Sequence, residues 1–168
     1  MGTTILKGRA FKFGDGISTD LIIAGKYAHL RSNLPELARH AMEDANPDFV
    51  KRVKPGDFIV AGSNFGLGSS REHAPLVIKM AGVSAILAKS FARIFFRNAI
   101  NQGVPALICP TDSIADGDTL EISLDEGTIH NITRNETYSF TRIPAAMLNI
   151  LNEGGLIPYI NKHGDLKL

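Results

Sequence analysis

A chain of 168 residues, 44% of them hydrophobic, has the length of one domain and enough apolar mass to bury a core without disulfide or metal staples. Its 18 Lys and Arg against 17 Asp and Glu leave a net charge of +1, so no long-range field gathers nucleic acid or an anionic membrane. The single cysteine, Cys109, excludes an internal disulfide framework and any metal centre built on several thiolates.

The N-terminal stretch MGTTILKGRAFKFG lacks an apolar signal core, and no later segment approaches the roughly 18 apolar residues of a membrane span. The expectation is a soluble cytoplasmic protein. ILKGRAFKFG, residues 5–14, reads as a first strand that stops at GDGISTD, a Gly/Asp cluster typical of a loop. In NLPELARHAMEDANP, Leu34, Leu37, Ala38 and Ala41 recur at helical spacing, with Asn33 as cap and Pro47 as stop. DFIVAG, residues 57–62, follows the turn KPG as a buried strand, and REHAPLVIKMAG places Ala74, Val77, Ile78 and Ala81 on one helical face before Gly82. VSAILAKS, FARIFFRNAINQG and VPALICP continue as strand, helix and strand, and Cys109 in the last of these reads as a small buried hydrophobe. This alternation predicts an α/β core with parallel pairing. DTLEISLDEGTIHNITRNETYSFTRI then switches to period two, with Leu120, Ile122 and Leu124 on one face and breaks at DEG and RNE, which predicts an antiparallel meander. PAAMLNILNEGG closes as a helix opened by Pro144 and ended by Gly154 and Gly155. No repeat, low-complexity tract or linker divides residues 1–168, so a single domain is expected.

The densest chemistry lies at one strand-to-helix corner, AGSNFGLGSSREHAP, residues 61–75. Its glycines, Gly68 among them, permit tight turns and close approach of a ligand. Ser69 and Ser70 fall where the next helix is expected to begin, a place where free amides and the dipole favour an anion. Arg71 adds a planar two-pronged donor suited to a carboxylate or phosphate. A serine-capped helix with Glu72 in its first turn accounts for part of the pattern without any ligand. The phosphate-loop spacing lacks its lysine, the dinucleotide fingerprint lacks its third glycine, and Ser69 is not in a G-x-S-x-G setting. Carboxylate chemistry remains, with Arg71 and backbone amides holding an acid group while a serine oxygen moves a proton. His73, one turn from Ser69, is expected to cap or pack.

GSNFGLGSSREHAP closely resembles the signature of the aconitase superfamily's swivelling domain, in particular the small-subunit family of the 3-isopropylmalate dehydratases and homoaconitases. GDGISTDLIIAGKY, FARIFFRNAINQGVPAL and GGLIPYI extend the resemblance, in the family's order, over nearly the whole chain. It implies an α/β fold of the swivelling β/β/α three-layer type. It also implies a hydro-lyase that interconverts 2- and 3-isopropylmalate through an alkene in leucine biosynthesis. Ser69 then resembles the base that removes the proton next to a substrate carboxylate, as an alkoxide stabilised by amides and by Arg71 in a closed site. Arg71 resembles the residue that binds that carboxylate, assisted by Ser70 and the close approach at Gly68. Asp20 resembles the aspartate that pairs with a histidine of the other chain to protonate the departing hydroxyl; the alternative is a loop aspartate capping a turn. Arg31 sits about where the family carries another substrate-binding arginine or its specificity loop. The segment Tyr27 to Ser32 matches the region that reads the substrate's γ side group, and its Ala28, His29, Leu30 and Arg31 fit neither the apolar isopropylmalate pattern nor the arginine of homoaconitases cleanly.

The resemblance implies a 4Fe-4S cluster held by three cysteines. With Cys109 alone, this chain requires a large iron-sulfur partner subunit that carries the cluster. The substrate class is a small dicarboxylic or tricarboxylic hydroxy acid, and nucleic acid and membrane are not expected partners. Homoaconitase, 2,3-dimethylmalate and citraconate-type dehydratases remain alternatives within the class. A non-catalytic carboxylate-binding module is the alternative outside it, followed by a metal-free serine hydrolase.

Overall fold

The computed structural model describes residues 5–68 and 72–165. Seven strands among these residues are β1 (Ile5–Lys12), β2 (Phe58–Val60), β3 (Ala85–Ala88), β4 (Ala106–Ile108), β5 (Thr119–Ser123), β6 (Thr128–Asn131) and β7 (Glu136–Ser139). They join in the order β4-β3-β2-β1-β5-β6-β7. The pairs β1–β2, β2–β3 and β3–β4 are parallel, whereas β1–β5, β5–β6 and β6–β7 are antiparallel. β1 is therefore the hinge strand, pairing parallel through Ala10–Lys12 and antiparallel through Ile5–Arg9.

Alternation along the parallel strands sorts the core into two bodies. Phe11, Ile59, Ile86 and Ala106 join Leu37, Phe49, Val77, Ile78 and Phe95, whereas Ala10, Phe58, Val60, Leu87 and Leu107 join Leu120, Ile122 and Ile129. The first set faces the helices α1 (Thr19–Ile22), α2 (Leu34–Ala38), α3 (Phe49–Arg52), α4 (His73–Met80) and α5 (Arg93–Asn101). The second set faces the antiparallel strands, so the sheet curls back over itself. The result is helices, parallel sheet and antiparallel sheet in three layers, the expected β/β/α arrangement. Two closing helices, α6 (Ala145–Asn152) and α7 (Leu156–His163), add Ile150, Leu151 and Tyr159 to the second body. Strands buried on both faces read as unbroken apolar runs, and the half-covered meander alternates.

The helical layer departs from the sequence expectation in several places. Only Leu34–Ala38 of the predicted 34–47 helix is regular, capped by Asn33, whose side chain accepts from Glu36 N at 3.4 Å. The chain then turns until Asn46, because the fully buried Met42 takes φ 59° and donates its N–H to Ile22 O at 2.8 Å instead of continuing the helix. The GDGISTD loop ends in α1, and α4 spans His73–Met80; the helix start expected at Ser69 and Ser70 lies outside the described residues. Pro75 suits the start at His73: its ring is tolerated in the first helical turn and would break an interior. The N-cap, Glu72, makes no side-chain capping bond.

Candidate functional site

Loops leave the carboxyl ends of β1, β2 and β3 side by side, the edge at which open α/β sheets place ligands. The central loop, 61–68, is tied to both neighbours by its backbone. Toward the β1 loop, Gly16 N donates to Ser63 O (2.8 Å), Gly66 N to Ile17 O (2.7 Å) and Thr19 N to Leu67 O (2.8 Å). Toward the β3 loop, Phe65 N donates to Ser90 O (3.1 Å) and Ala92 N to Phe65 O (2.9 Å). Two side chains add to this: Asp15 Oδ1 accepts from Ser63 N at 2.7 Å, and Ser90 Oγ accepts from Asn64 N at 2.8 Å. Phe65 anchors the loop from below, fully buried and edge-on to Phe95 (5.3 Å) and Phe91 (6.0 Å). The same backbone bonds hold its exposed end, Leu67 and Gly68, against the loop after β1.

Asp20 is brought to this end. It is exposed in the first turn of α1, which Ser18 caps by accepting from Leu21 N at 3.2 Å. The bond from Thr19 N to Leu67 O places Asp20 one residue from the strap that holds Gly68. Asp20 is thus a helix-start residue, not the loop residue the sequence suggested. Ser69, Ser70 and Arg71 follow Gly68 directly and lie outside the described residues.

The remaining candidates sit on the 3-10 segment Gly25–Leu30 and its end. Arg31 lines a cavity of about 200 Å³ together with Ile23, Ala24, Tyr27, Ala28, Leu37 and His73. This cavity therefore adjoins the start of α4. His29 is exposed, its Nδ1 donating to Lys26 O at 3.1 Å, and Leu30 is half-buried against the helix-side core. Neither lines the cavity, so of this trio the structure joins only Arg31 to it. His73, expected to cap or pack, is half-buried in the same wall. Sequence reasoning passed over Asp15, Ser90 and Phe95. Asp15 shows only as a turn residue in GDG, because its partner Ser63 is 48 positions away.

An iron-sulfur cluster does not fit this chain's donors. Among the described residues no group of three or more His, Cys, Asp or Glu is arranged to hold a metal. Cys109 is the single cysteine of the chain and is buried, and its thiol is pushed by burial up to about 12; one thiol cannot supply the three ligands that such a cluster takes from its protein. No helix among the described residues is long and apolar enough to cross a membrane.

Comparison with known proteins points in one direction. A family model of the aconitase C-terminal domain matches residues 16–111. The chain is 64% identical over 161 residues to a 3-isopropylmalate dehydratase small subunit of Archaeoglobus fulgidus, covering 96% of this chain and 98% of that one. It is 58% identical over 161 residues to the corresponding small subunit of Thermotoga maritima, covering 95% and 97%. A crystal structure of 3-isopropylmalate dehydratase from Methanocaldococcus jannaschii superposes with a TM-score of 0.91 at 49% identity, covering 96% of both chains.

Proposed function

Because the chain belongs to the 3-isopropylmalate dehydratase small-subunit family and carries its aconitase C-terminal domain, we propose that it is the half of a two-chain hydro-lyase that binds the substrate carboxylate and moves the proton. The family's role is leucine biosynthesis, and a small subunit implies a large partner. We assign to this chain, as one swivelling domain over residues 1–168, the isomerisation of 2- and 3-isopropylmalate by dehydration and rehydration in concert with that partner. The observation that supports the assignment is the convergence of Asp20 with the strapped loop 61–68 at the carboxyl ends of the parallel strands, the loop that precedes Ser69, Ser70 and Arg71 in the sequence.

Within this reading Ser69 takes the proton from the carbon next to a substrate carboxylate. Arg71 holds that carboxylate through paired N–H donors, with Ser70 and the side-chain-free edge at Gly68 completing its seat. Asp20, paired with a histidine of the large subunit, helps protonate the departing hydroxyl. Arg31 lies in the wall that receives the substrate's γ side group, on a segment shaped by His29 and Leu30. The 4Fe-4S cluster that the family implies belongs in this reading to the large subunit, since the donors here do not fit it.

The test is an anaerobic assay of this chain mixed with a reconstituted large subunit from the same source. Alkene absorbance is followed with isopropylmalate, homocitrate-type acids and 2,3-dimethylmalate in parallel. Turnover of isopropylmalate only in the mixture, lost in Ser69→Ala and Arg71→Lys, supports the assignment. Preference for another acid replaces the substrate and keeps the class. Tight binding of a diacid by the isolated chain, with no turnover in the mixture, favours a non-catalytic carboxylate-binding module.

A further inference from the structure

Tyr27 and Leu37 are two walls of the cavity beside Arg31, and they come from different parts of the chain. Leu37 is rigidly placed, 1% exposed at the core-facing side of α2. Its own segment fixes the Tyr27 backbone, through Tyr27 N to Ala24 O at 3.0 Å, and the ring packs partly against the helix-side core. The 3-10 turn Gly25–Leu30 contains no buried residue, and Ala24 at its start makes no side-chain capping bond. The side-chain contacts that orient Tyr27's ring lie thirteen to sixteen positions later in the sequence. Its ring stacks on the His40 ring with centroids 3.8 Å apart and planes 13° from parallel. The Glu43 carboxylate faces its hydroxyl closely enough to hold that hydroxyl's pKa above the usual tyrosine value, and it accepts from His40 Nδ1 at 3.2 Å. A carboxylate only accepts, so His40 carries its proton on Nδ1. The Lys26 ammonium lies 5.2 Å from the centroid of the same ring. The turn bearing His40 and Glu43 is itself pinned, through Met42 N to Ile22 O at 2.8 Å and His40 N to Leu37 O at 3.0 Å.

We propose that His40 and Glu43 are positioning residues that clamp Tyr27 at a fixed distance from Leu37 and so set the size of the substrate side group that the site accepts. This deepens the dehydratase reading and rests on it. Neither residue lines the cavity; they act through the tyrosine ring. Replacing His40 by leucine removes both the stack and the hydrogen bond, whereas phenylalanine keeps a ring for the stack. Glu43→Gln keeps an acceptor for the Tyr27 hydroxyl and removes the charge, and Glu43→Leu removes the acceptor.

The experiment uses the two-chain complex and measures kcat and KM for 3-isopropylmalate and 3-methylmalate, two substrates that differ only in the bulk of the side group. In the wild type the ratio of their kcat/KM values records contact with the wall, and one or two methyl groups in an apolar pocket are commonly worth tenfold or more. Loss of the clamp in His40→Leu and Glu43→Leu is expected to lower that ratio about tenfold, mainly through a higher KM for 3-isopropylmalate. His40→Phe and Glu43→Gln are expected to restore most of it. A ratio unchanged in both leucine variants, with both substrates losing activity equally, overturns the proposal, because a merely structural role weakens all substrates alike. A loss confined to kcat overturns it as well. Should His40→Leu fail to fold, the half-exposed Glu43 pair reads the same ratio. A wild-type complex that forms but turns over neither alkylmalate overturns the functional reading together with the clamp.

Discussion

Replacing Gly66 by alanine tests how firmly the loop that leads to Ser69 is fixed, and Gly117 supplies the control. Both glycines have nearly the same left-handed backbone, φ 85° and φ 88°. They differ in surroundings: a Cβ on Gly66 would overlap the Phe95 ring, whereas one on Gly117 meets no atom within 4 Å. The backbone penalty for alanine there is roughly 1–2 kcal/mol at either site. Overpacking against a fully seated ring adds about 1–3 kcal/mol at Gly66 alone. Phe95 has little room to retreat, being 3% exposed and packed edge-on against Phe65 at 5.3 Å. With about 2–4 °C per kcal/mol for a chain of this size, Gly117→Ala should lower Tm by about 3–6 °C and Gly66→Ala by about 7–14 °C. Thermal unfolding followed by circular dichroism reads both. In the two-chain assay Gly66→Ala should also lose most activity at temperatures where it remains folded, and Gly117→Ala should keep it. Equal Tm shifts in the two variants would refute the reasoning, since the loop would then yield to Phe95 at no cost.

Asp15→Ala removes the acceptor that holds Ser63 N. At this exposed position the stability loss should be about 1 kcal/mol or less, yet kcat/KM in the complex should fall at least tenfold as the loop loosens; equal activity would show that the backbone straps suffice. Asp118 is 4% exposed and accepts from Asn131 Nδ2 (2.9 Å), Ala115 N (2.9 Å) and Arg134 Nε (2.8 Å). Burial alone would raise its pKa, but these bonds outweigh it and hold the carboxyl below its usual range. Its contribution is therefore complete above the unfolded value of about 4 and is lost as pH falls through the depressed folded value. Urea unfolding should show Asp118→Asn less stable by about 1–3 kcal/mol at pH 7, with the gap to wild type narrowing below about pH 4. The Cys109 thiol, pushed by burial up to about 12, should resist a disulfide-exchange reagent at pH 8 in the folded chain and react more than about a hundredfold faster once unfolded. Fast labelling of the native protein would mean that this strand end is open to solvent.

Much of the fold is written locally. Ala85–Ala88 and Phe58–Val60 read as strands because both faces are covered, and β5 alternates because one face is. Asn33 caps α2 as its type predicts, and Pro144 sits at the start of α6. The four-residue helices α1 and α3 escaped notice because one turn is too short to display a 3.6-residue period. The same limit hid the helical setting of Asp20. The end of regular helix at Ala38 was equally invisible, because the bond that diverts Met42 goes to Ile22, twenty positions earlier.

By itself the sequence determined which residue types are available for chemistry: the glycine-rich loop, the Ser69–Arg71 triplet, Asp20, and too few thiols to hold a cluster. These are properties of composition and short spacing, and they survive in any conformation. Only the tertiary structure decided how the loop is strapped between its neighbours, that the meander folds back to bury Leu120 and Ile122 under the parallel strands, and that His40 and Glu43 reach Tyr27. Each of those depends on pairing between distant segments, where a single hydrogen bond or ring stack carries meaning only after the chain has closed the loop between its partners.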